Sequence, residues 1–124
     1  MRAGYEKQLK RGILEMVVLS LICRKDYYGY ELIKKLSETE NGLFSVKEGT
    51  LYPILYRLED EGLIRSRWGS ADAFELPSRE NGVPKKRYFA TARGQVAFLE
   101  MQKTWNLFSG AVNRIVQNSG DETP

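Results

Sequence analysis

The sequence contains no histidine and one cysteine, and this scarcity excludes several kinds of site. Without imidazole the chain forms no Ser-His or Cys-His nucleophile pair and loses the commonest ligand of zinc and haem. Cys23 alone makes neither an intrachain disulfide nor a metal-binding cysteine cluster, so we interpret it as a small buried hydrophobe in a helix. We therefore expect no metal, no cofactor and a reducing, cytoplasmic compartment.

Long hydrophobic runs are also missing. The longest runs from Met16 to Cys23 and is interrupted by Ser20, which makes it too short to span a bilayer. No small-residue cleavage site marks it as a signal peptide, and we expect no membrane association. The 124 residues suffice for one domain, and the sequence shows no internal repeat.

The residue types also argue against an enzyme. Without histidine, catalysis would need paired carboxylates, a perturbed lysine or a bound cofactor. The acidic run Glu59-Asp60-Glu61 closes a predicted helix and accompanies no glycine-rich phosphate loop. We therefore predict a protein that binds rather than catalyses.

Positive charge is concentrated in two parts of the chain, although the net charge is only +3. Residues 63–93 hold seven basic and three acidic residues, whereas residues 1–62 hold ten of each. The extreme N-terminus is basic as well, with Arg2, Lys7, Lys10 and Arg11 against Glu6. These patches are either solvated surface or, if the fold brings them together, a footprint for phosphate groups.

Apolar spacing predicts three helices in the first half of the chain. The first runs from about Tyr5 to Arg24 and is apolar on two strips, which suggests a subunit contact in addition to the core. The second covers about Tyr30 to Thr39 and ends at Asn41-Gly42.

The third helix, residues 45–61, has one inward stripe and a polar, aromatic outer face. Ser45 and Glu48 fit a capping box, and Gly62 is the predicted stop. Pro53 presses on the carbonyl of Gly49, which predicts a bend or a later start and leaves bare backbone for a close partner. The inward stripe consists of Leu51, Ile54, Leu55 and Leu58.

Two short strands and a long helix complete the chain. Residues 64–68 and 86–90 alternate as strands, and residues 69–84 between them contain the turn signal Asn81-Gly82. The last helix follows Thr91 as N-cap and runs to about Gln117 with a heptad seam. The seam meets a second subunit or packs only on its own domain.

This order predicts a mainly α, α+β fold, a winged helix-turn-helix with a long C-terminal dimerisation helix. In that architecture the third helix enters a DNA major groove and the hairpin touches the backbone. We expect a DNA-binding domain over residues 1–91 with its wing at 69–84, a dimerisation helix over 92–117 and a disordered tail over 118–124. The alternative is a winged-helix module that binds only proteins.

Several stretches resemble the PadR family of bacterial transcriptional regulators. The resemblance lies in residues 28–32, 48–59 and 62–64, with weaker similarity at 85–89 and 91–94. It covers residues 8 to about 115, and the single last helix is similar to the compact subfamily. The longer wing, with apolar Phe74 and Leu76, and Ala90 in place of a larger aliphatic depart from the family pattern.

The resemblance implies a homodimeric repressor that reads a palindromic operator near its own gene. It implies that the last helix packs on the partner's first helix. It also implies, for some compact members, release by an aromatic or cationic compound that stacks on a tryptophan at the dimer centre. Trp105 matches that tryptophan, with filling of the dimer core as the alternative.

The candidate DNA contacts are Lys10, Tyr28, Lys47, Gly49, Thr50, Tyr52, Pro53, Tyr56, Arg57, Lys85, Lys86 and Arg87. Arg57 would pair with a phosphate or with guanine, and the lysines would add salt-dependent, sequence-blind affinity. The alternative for Tyr52 or Tyr56 is that one of them packs inside the domain instead of contacting DNA. The alternative for Tyr28 is that it packs under the second helix.

Two further sets of residues complete the predictions. The candidate ligand-binding residues are Trp105, Phe108, Met101, Leu9, Met16, Ser20 and Ser109. The candidate dimer contacts are Ile13, Val17, Phe98, Met101, Trp105, Phe108, Val112 and Ile115.

Overall fold

The computed structural model describes residues 9–10, 12–68, 79–80 and 83–118, the side chains of 79–84 excepted. Its helices are α1 (Leu14–Arg24), α2 (Gly29–Glu38), α3 (Glu48–Asp60) and α4 (Ala92–Asn118), with a 3₁₀ turn at Glu40–Gly42. Its strands are β1 (Tyr27–Tyr28), β2 (Ile64–Trp68), β3 (Arg79–Glu80), β4 (Val83–Pro84) and β5 (Lys86–Ala90). Three helices followed by a β-hairpin and a long helix make a winged helix-turn-helix, as predicted.

The core lies where α1, α2 and α3 meet the sheet. The inward stripe of α3 is buried in full as the apolar spacing predicts, and Leu32 and Leu36 of α2 are buried against it. The fully buried Ile64 and the nearly buried Tyr88 close the core from the sheet side. Burial of these apolar side chains is the main stabilising contribution to the domain.

The first helix is shorter than predicted. Leu9 and Lys10 are helical, but Gly12 and Ile13 form a turn in which the Ile13 N–H donates to the Lys10 carbonyl at 3.0 Å. Glycine is a poor helix former and favours a break at this point. Because α1 begins only at Leu14, Leu9 does not continue the apolar strip of α1.

The boundaries of α3 correct one prediction and confirm another. The helix begins at Glu48 with Lys47 as N-cap, so Ser45 lies outside it and the predicted capping box is wrong. At the other end Gly62 adopts a positive φ of 76°. The Leu63 and Gly62 N–H groups donate to the Leu58 and Glu59 carbonyls, a Schellman motif that ends the helix as predicted.

The sheet contains a strand that the periodicity did not indicate. β5 lies between β1 and β2 and pairs with both antiparallel; Tyr88 is opposite Tyr27 on one side and Ser66 on the other. β1 has only two residues, too few for an alternating pattern. By pairing with β5, β1 connects the N-terminus of α2 to the base of the wing.

The wing is described only in part. β3 and β4 pair antiparallel, with Glu80 opposite Val83, within the stretch that the sequence predicts as a connection with an Asn81-Gly82 turn signal. Residues 69–78 and 81–82, to which the sequence assigns most of the wing, lie outside the described residues. Residues 119–124 of the predicted tail lie outside them as well.

The start of α4 fits closely against the end of α3. The Thr91 hydroxyl donates to the Gly62 carbonyl at 2.7 Å and accepts the Gly94 N–H at 3.0 Å, so Thr91 is the N-cap as predicted. Gly94 is buried, and a Cβ at this position would collide with the Leu63 carbonyl. The absence of a side chain at Gly94 thus sets the distance between α4 and the residues after α3.

We expect Gly94→Ala to lower the free energy of unfolding by about 2 kcal/mol, because the methyl group forces backbone apart. Gly49→Ala is the matched control, because a Cβ there meets nothing within 4 Å and alanine stabilises a helix relative to glycine. Denaturant unfolding of both variants measures the difference. Equal stability of Gly94→Ala and the wild type would contradict the close fit.

Candidate nucleic-acid interface

The outer face of α3 is open along most of its length. Gly49, Thr50, Pro53, Tyr56 and Arg57 are exposed, and Tyr56 is exposed by 58%. A Cβ at Gly49 would meet no atom of the described residues within 4 Å, so the first turn of α3 presents bare backbone. The helix continues through Pro53 and begins at Glu48, not nearer Thr50.

Tyr52 differs from the rest of this face. It is half-buried and packs against the core, and its hydroxyl occupies the space where a Cβ of Gly29 would lie. The structure thus favours the packing alternative for Tyr52, whereas Tyr56 faces outward. The ring centroids of Tyr52 and Tyr56 are 6.4 Å apart. Gly29 allows this contact, which joins the start of α2 to α3.

A groove of about 660 Å³ separates the N-terminal part of α1 from α3. Lys10 and Lys47 line it together with Gly49 and Thr50, so two of the predicted phosphate-binding lysines lie beside the open first turn. Its remaining lining residues are Leu14, Glu15, Ser45, Val46, Pro53, Ile54 and Arg57. The N-terminus of a helix favours anions because its N–H groups are unpaired and its dipole is positive there.

Arg57 has a partner inside the chain. Its Nε donates to Oε1 of Glu15 on α1 at 2.7 Å. The Arg57 side chain nevertheless stays 56% exposed and that of Glu15 37% exposed. The ion pair crosses the groove, and sequence reasoning missed it because the partners lie 42 positions apart.

A second group of cations and rings lies where the wing meets α2. Tyr28 and Tyr30 stack at 5.8 Å, and Lys85 Nζ lies 4.5 Å from the Tyr30 ring centroid and 5.1 Å from that of Tyr28. Tyr28 itself is buried, and its N–H donates to the Glu31 carboxylate at 2.8 Å, as the packing alternative expects. Tyr30 is not among the predicted contacts, although a second tyrosine two residues after Tyr28 is typical of an aromatic cluster.

The remaining basic residues of the wing base take different positions. The Arg87 guanidinium lies 4.8 Å from the Tyr28 ring centroid, and its Nε is buried without a hydrogen bond. Arg87 therefore packs within the domain to a greater extent than a phosphate contact requires. Lys86 Nζ lies 5.0 Å from the ring of Trp68, which is 63% exposed on β2.

A cavity of about 970 Å³ lies between α1 and the first half of α4. Four predicted ligand-binding residues line it, namely Met16, Met101, Trp105 and Phe108. Leu9, Ser20 and Ser109 do not; the two hydroxyls donate to the Val17 and Asn106 carbonyls of their own helices instead. Among the described residues, the charged ones around it are Glu15, Glu61, Arg93 and Glu100, three acids against one base.

α4 extends beyond the core and carries apolar side chains that are exposed in the part of the chain that the structure describes. Trp105 is 40% exposed and Phe108 63% exposed, and Val112 and Ile115 of the predicted seam are also exposed. Phe98, Met101 and Val17 are partly buried against the core, and Ile13 lines the cavity. Four further apolar residues of α4 are exposed but do not belong to the predicted seam, namely Val96, Leu99, Leu107 and Val116.

Among the described residues, the Tyr88 hydroxyl and the Cys23 thiol have shifted pKa values. Burial raises the pKa of the Tyr88 hydroxyl, and the neighbouring Tyr52, Glu59 and Tyr56 raise it further. Burial also raises the pKa of the Cys23 thiol, whose Sγ lies 3.8 Å from the Gly94 carbonyl oxygen. Both groups stay protonated at neutral pH, as structural side chains do.

Within the described ranges, no group of three or more His, Cys, Asp and Glu side chains is arranged to hold a metal ion. None of the helices in that part of the chain is both long and apolar enough to cross a membrane.

Residues 18–100 match the model of the transcriptional regulator PadR-like family. The chain is 35% identical over 95 residues to an uncharacterised protein of Lysinibacillus sphaericus, covering 77% of this chain and 80% of that protein. It is 30% identical over 101 residues to the transcriptional regulator YqjI of Escherichia coli, covering 80% of this chain but 47% of YqjI.

Solved structures show the same similarity. A PadR family transcriptional regulator from Eggerthella lenta superposes with a TM-score of 0.75 at 31% identity over 92% of this chain and 90% of that one. A PadR-like transcriptional regulator from Bacillus cereus superposes with a TM-score of 0.70 at 32% identity over 89% of this chain and 97% of that one.

Proposed function

This chain belongs to the PadR-like transcriptional regulator family, and from that premise we propose that it is a homodimeric repressor of its own operator. Members of the family regulate transcription and bind DNA, and they are not enzymes. Beyond family membership, we propose a repressing role, a dimer, a palindromic operator and release by a small molecule.

The open first turn of α3 is the observation that carries the proposal. Gly49 and Thr50 are exposed there, with Lys10 and Lys47 beside them across the groove. A phosphate at this point meets the bare backbone at Gly49, the positive end of the helix dipole and two ammonium groups. Pro53, Tyr56 and Arg57 continue the same face toward the bases of a major groove.

The base of the wing supplies a second backbone contact. Lys85 and Lys86 lie over tyrosine and tryptophan rings, which hold each ammonium group in place while leaving it able to bind an anion. The Tyr28 ring contacts Lys85 and Arg87. We propose that Arg87 and Tyr52 stabilise this surface by packing instead of contacting DNA themselves. These contacts supply affinity that falls with salt and is insensitive to sequence.

The dimer follows from the uncovered surface of α4. A helix of 27 residues is about 40 Å long, and most of its second half lies beyond the domain. Trp105, Phe108, Val112 and Ile115 are exposed at heptad spacing along this helix, and a row of exposed apolar side chains is typical of an interaction surface. A second copy on this seam gives two α3 helices related by a twofold axis, so the operator is palindromic with half-sites about 34 Å apart.

The cavity between α1 and α4 is the proposed effector site. Trp105 and Phe108 offer ring faces, and three carboxylates against one guanidinium favour a positive ligand. We propose an aromatic cation. A ligand that binds the DNA-incompetent arrangement more tightly shifts the dimer toward release.

We expect Gly49→Ala to bind operator about tenfold more weakly while remaining folded, because the methyl group meets the phosphate but no atom of the chain. Lys85→Ala should lower the slope of log affinity against log salt by about one. Fluorescence anisotropy with a duplex from upstream of the gene measures both, with Lys103→Ala on α4 as the control. If the wild type binds no duplex in dilute salt, the winged helix is a protein-binding module instead.

Ile115→Glu should make the chain monomeric at micromolar concentration, because it places a charge in the proposed apolar seam. The side chain is 71% exposed in the single chain, so the fold should remain. Asn113→Glu is the control and should remain dimeric, because Asn113 is exposed but lies two positions before Ile115, about half a turn away on the other side of the helix. Sedimentation equilibrium distinguishes the two outcomes, and a monomeric wild type would contradict the proposal.

Tetraphenylphosphonium, an aromatic cation that does not intercalate, should quench Trp105 fluorescence in a Trp68→Phe background. Trp105→Leu should bind it about tenfold more weakly, equivalent to ~1.4 kcal/mol, by equilibrium dialysis. Triphenylphosphine oxide, which is neutral, tests the charge. Equal affinity of wild type and Trp105→Leu for the cation would show that Trp105 only fills the interior.

A further inference from the structure

Glu15 lies between the two sites that the proposed function uses. Among the described residues it alone lines both the groove beside α3 and the cavity beside α4. α1 separates the two spaces, and Glu15 lies in its first turn. Glu15 therefore borders both the effector side and the DNA side of α1.

The carboxylate holds Arg57 by one defined edge. Arg57 Nε donates to Glu15 Oε1 at 2.7 Å, which turns the Nε edge of the guanidinium toward α1. The Arg57 side chain is 56% exposed. Bidentate recognition of guanine or phosphate requires a guanidinium held in one orientation. An Arg57 free of Glu15 would keep its charge but lose that orientation.

The cavity offers Glu15 a competing partner. Glu61 and Glu100 line the same cavity but not the groove, so a cation bound there attracts three carboxylates of which only Glu15 also holds Arg57. The Glu15 side chain is 37% exposed, and exposed ion pairs exchange partners at low cost.

We infer that Glu15 is a positioning residue that couples the two sites. With the cavity empty it orients Arg57 for DNA; a cation in the cavity competes for the carboxylate, and Arg57 loses its orientation. This inference rests on the proposed function, because it takes Arg57 as a DNA contact and the cavity as the effector site. It adds the group through which the sites communicate.

The first experiment is a double-mutant cycle on DNA discrimination. Affinities of wild type, Glu15→Gln, Arg57→Ala and the double variant are measured for the upstream duplex and for an unrelated duplex of equal length. We expect Glu15→Gln to lose about tenfold in preference for the upstream duplex, mainly by binding unrelated DNA more tightly. The double variant should lose no more than Arg57→Ala does.

The second experiment measures the coupling itself. Saturating tetraphenylphosphonium should weaken the wild-type complex with the upstream duplex by about fivefold or more and leave the Glu15→Gln complex unchanged. Glu100→Gln is the matched control, because it removes the same charge from the same cavity without touching Arg57. Its DNA complex should remain sensitive to the cation, at a higher cation concentration.

The outcomes separate this inference from the proposed function. Additive effects of Glu15→Gln and Arg57→Ala overturn it, as does a wild-type complex that the cation leaves intact or a Glu15→Gln complex that the cation still weakens. In those cases the Gly49 and Lys85 variants still test DNA binding independently. A wild-type chain that binds neither duplex contradicts the proposed function and overturns the inference with it. Thermal unfolding of Glu15→Gln close to wild type confirms that the fold is retained.

Discussion

The junction between the end of α3 and the start of α4 is the constraint on which the rest of the arrangement depends. Gly62 ends α3 with a positive φ, and Thr91 caps α4 by accepting the Gly94 N–H while its hydroxyl donates to the Gly62 carbonyl. Gly94 lets α4 approach the Leu63 backbone without a side chain between them. Because hydrogen bonds and backbone contact fix this junction, the direction of α4 is tied to that of α3.

This junction matters because it links α3, the proposed DNA-reading helix, to α4, which extends beyond the domain. α3 presents its open first turn on one side of the domain, while α4 carries its apolar seam beyond the domain. In the proposed dimer, a change in the angle between the two α4 helices would change the positions of the two α3 helices, because the junction holds α3 and α4 in one relative orientation. α1 lies between them and lines both the groove and the cavity, which makes its exposed polar residues natural points of communication.

Much of the fold is local and could be predicted from spacing. The inward stripe of α3, the two five-residue strands and the span of α4 each depend on apolar periodicity within one segment, and all are as predicted. The errors have local causes of another kind. Gly12 breaks a helix whose apolar pattern continues across it, and Ser45 lies too far from the first turn of α3 to cap it. β1 was missed because two residues show no period.

The sequence by itself determined the order of elements, the winged helix and the candidate DNA-facing helix, because periodicity, turn residues and the string from Gly49 to Glu59 are properties of single segments. Only the tertiary structure decided which tyrosine of α3 packs and which faces outward, because that depends on Gly29 of another helix. It likewise decided that Arg57 meets Glu15 and that Glu15 borders two spaces. Contacts between distant segments arise from the packing of whole elements, and no local pattern encodes them.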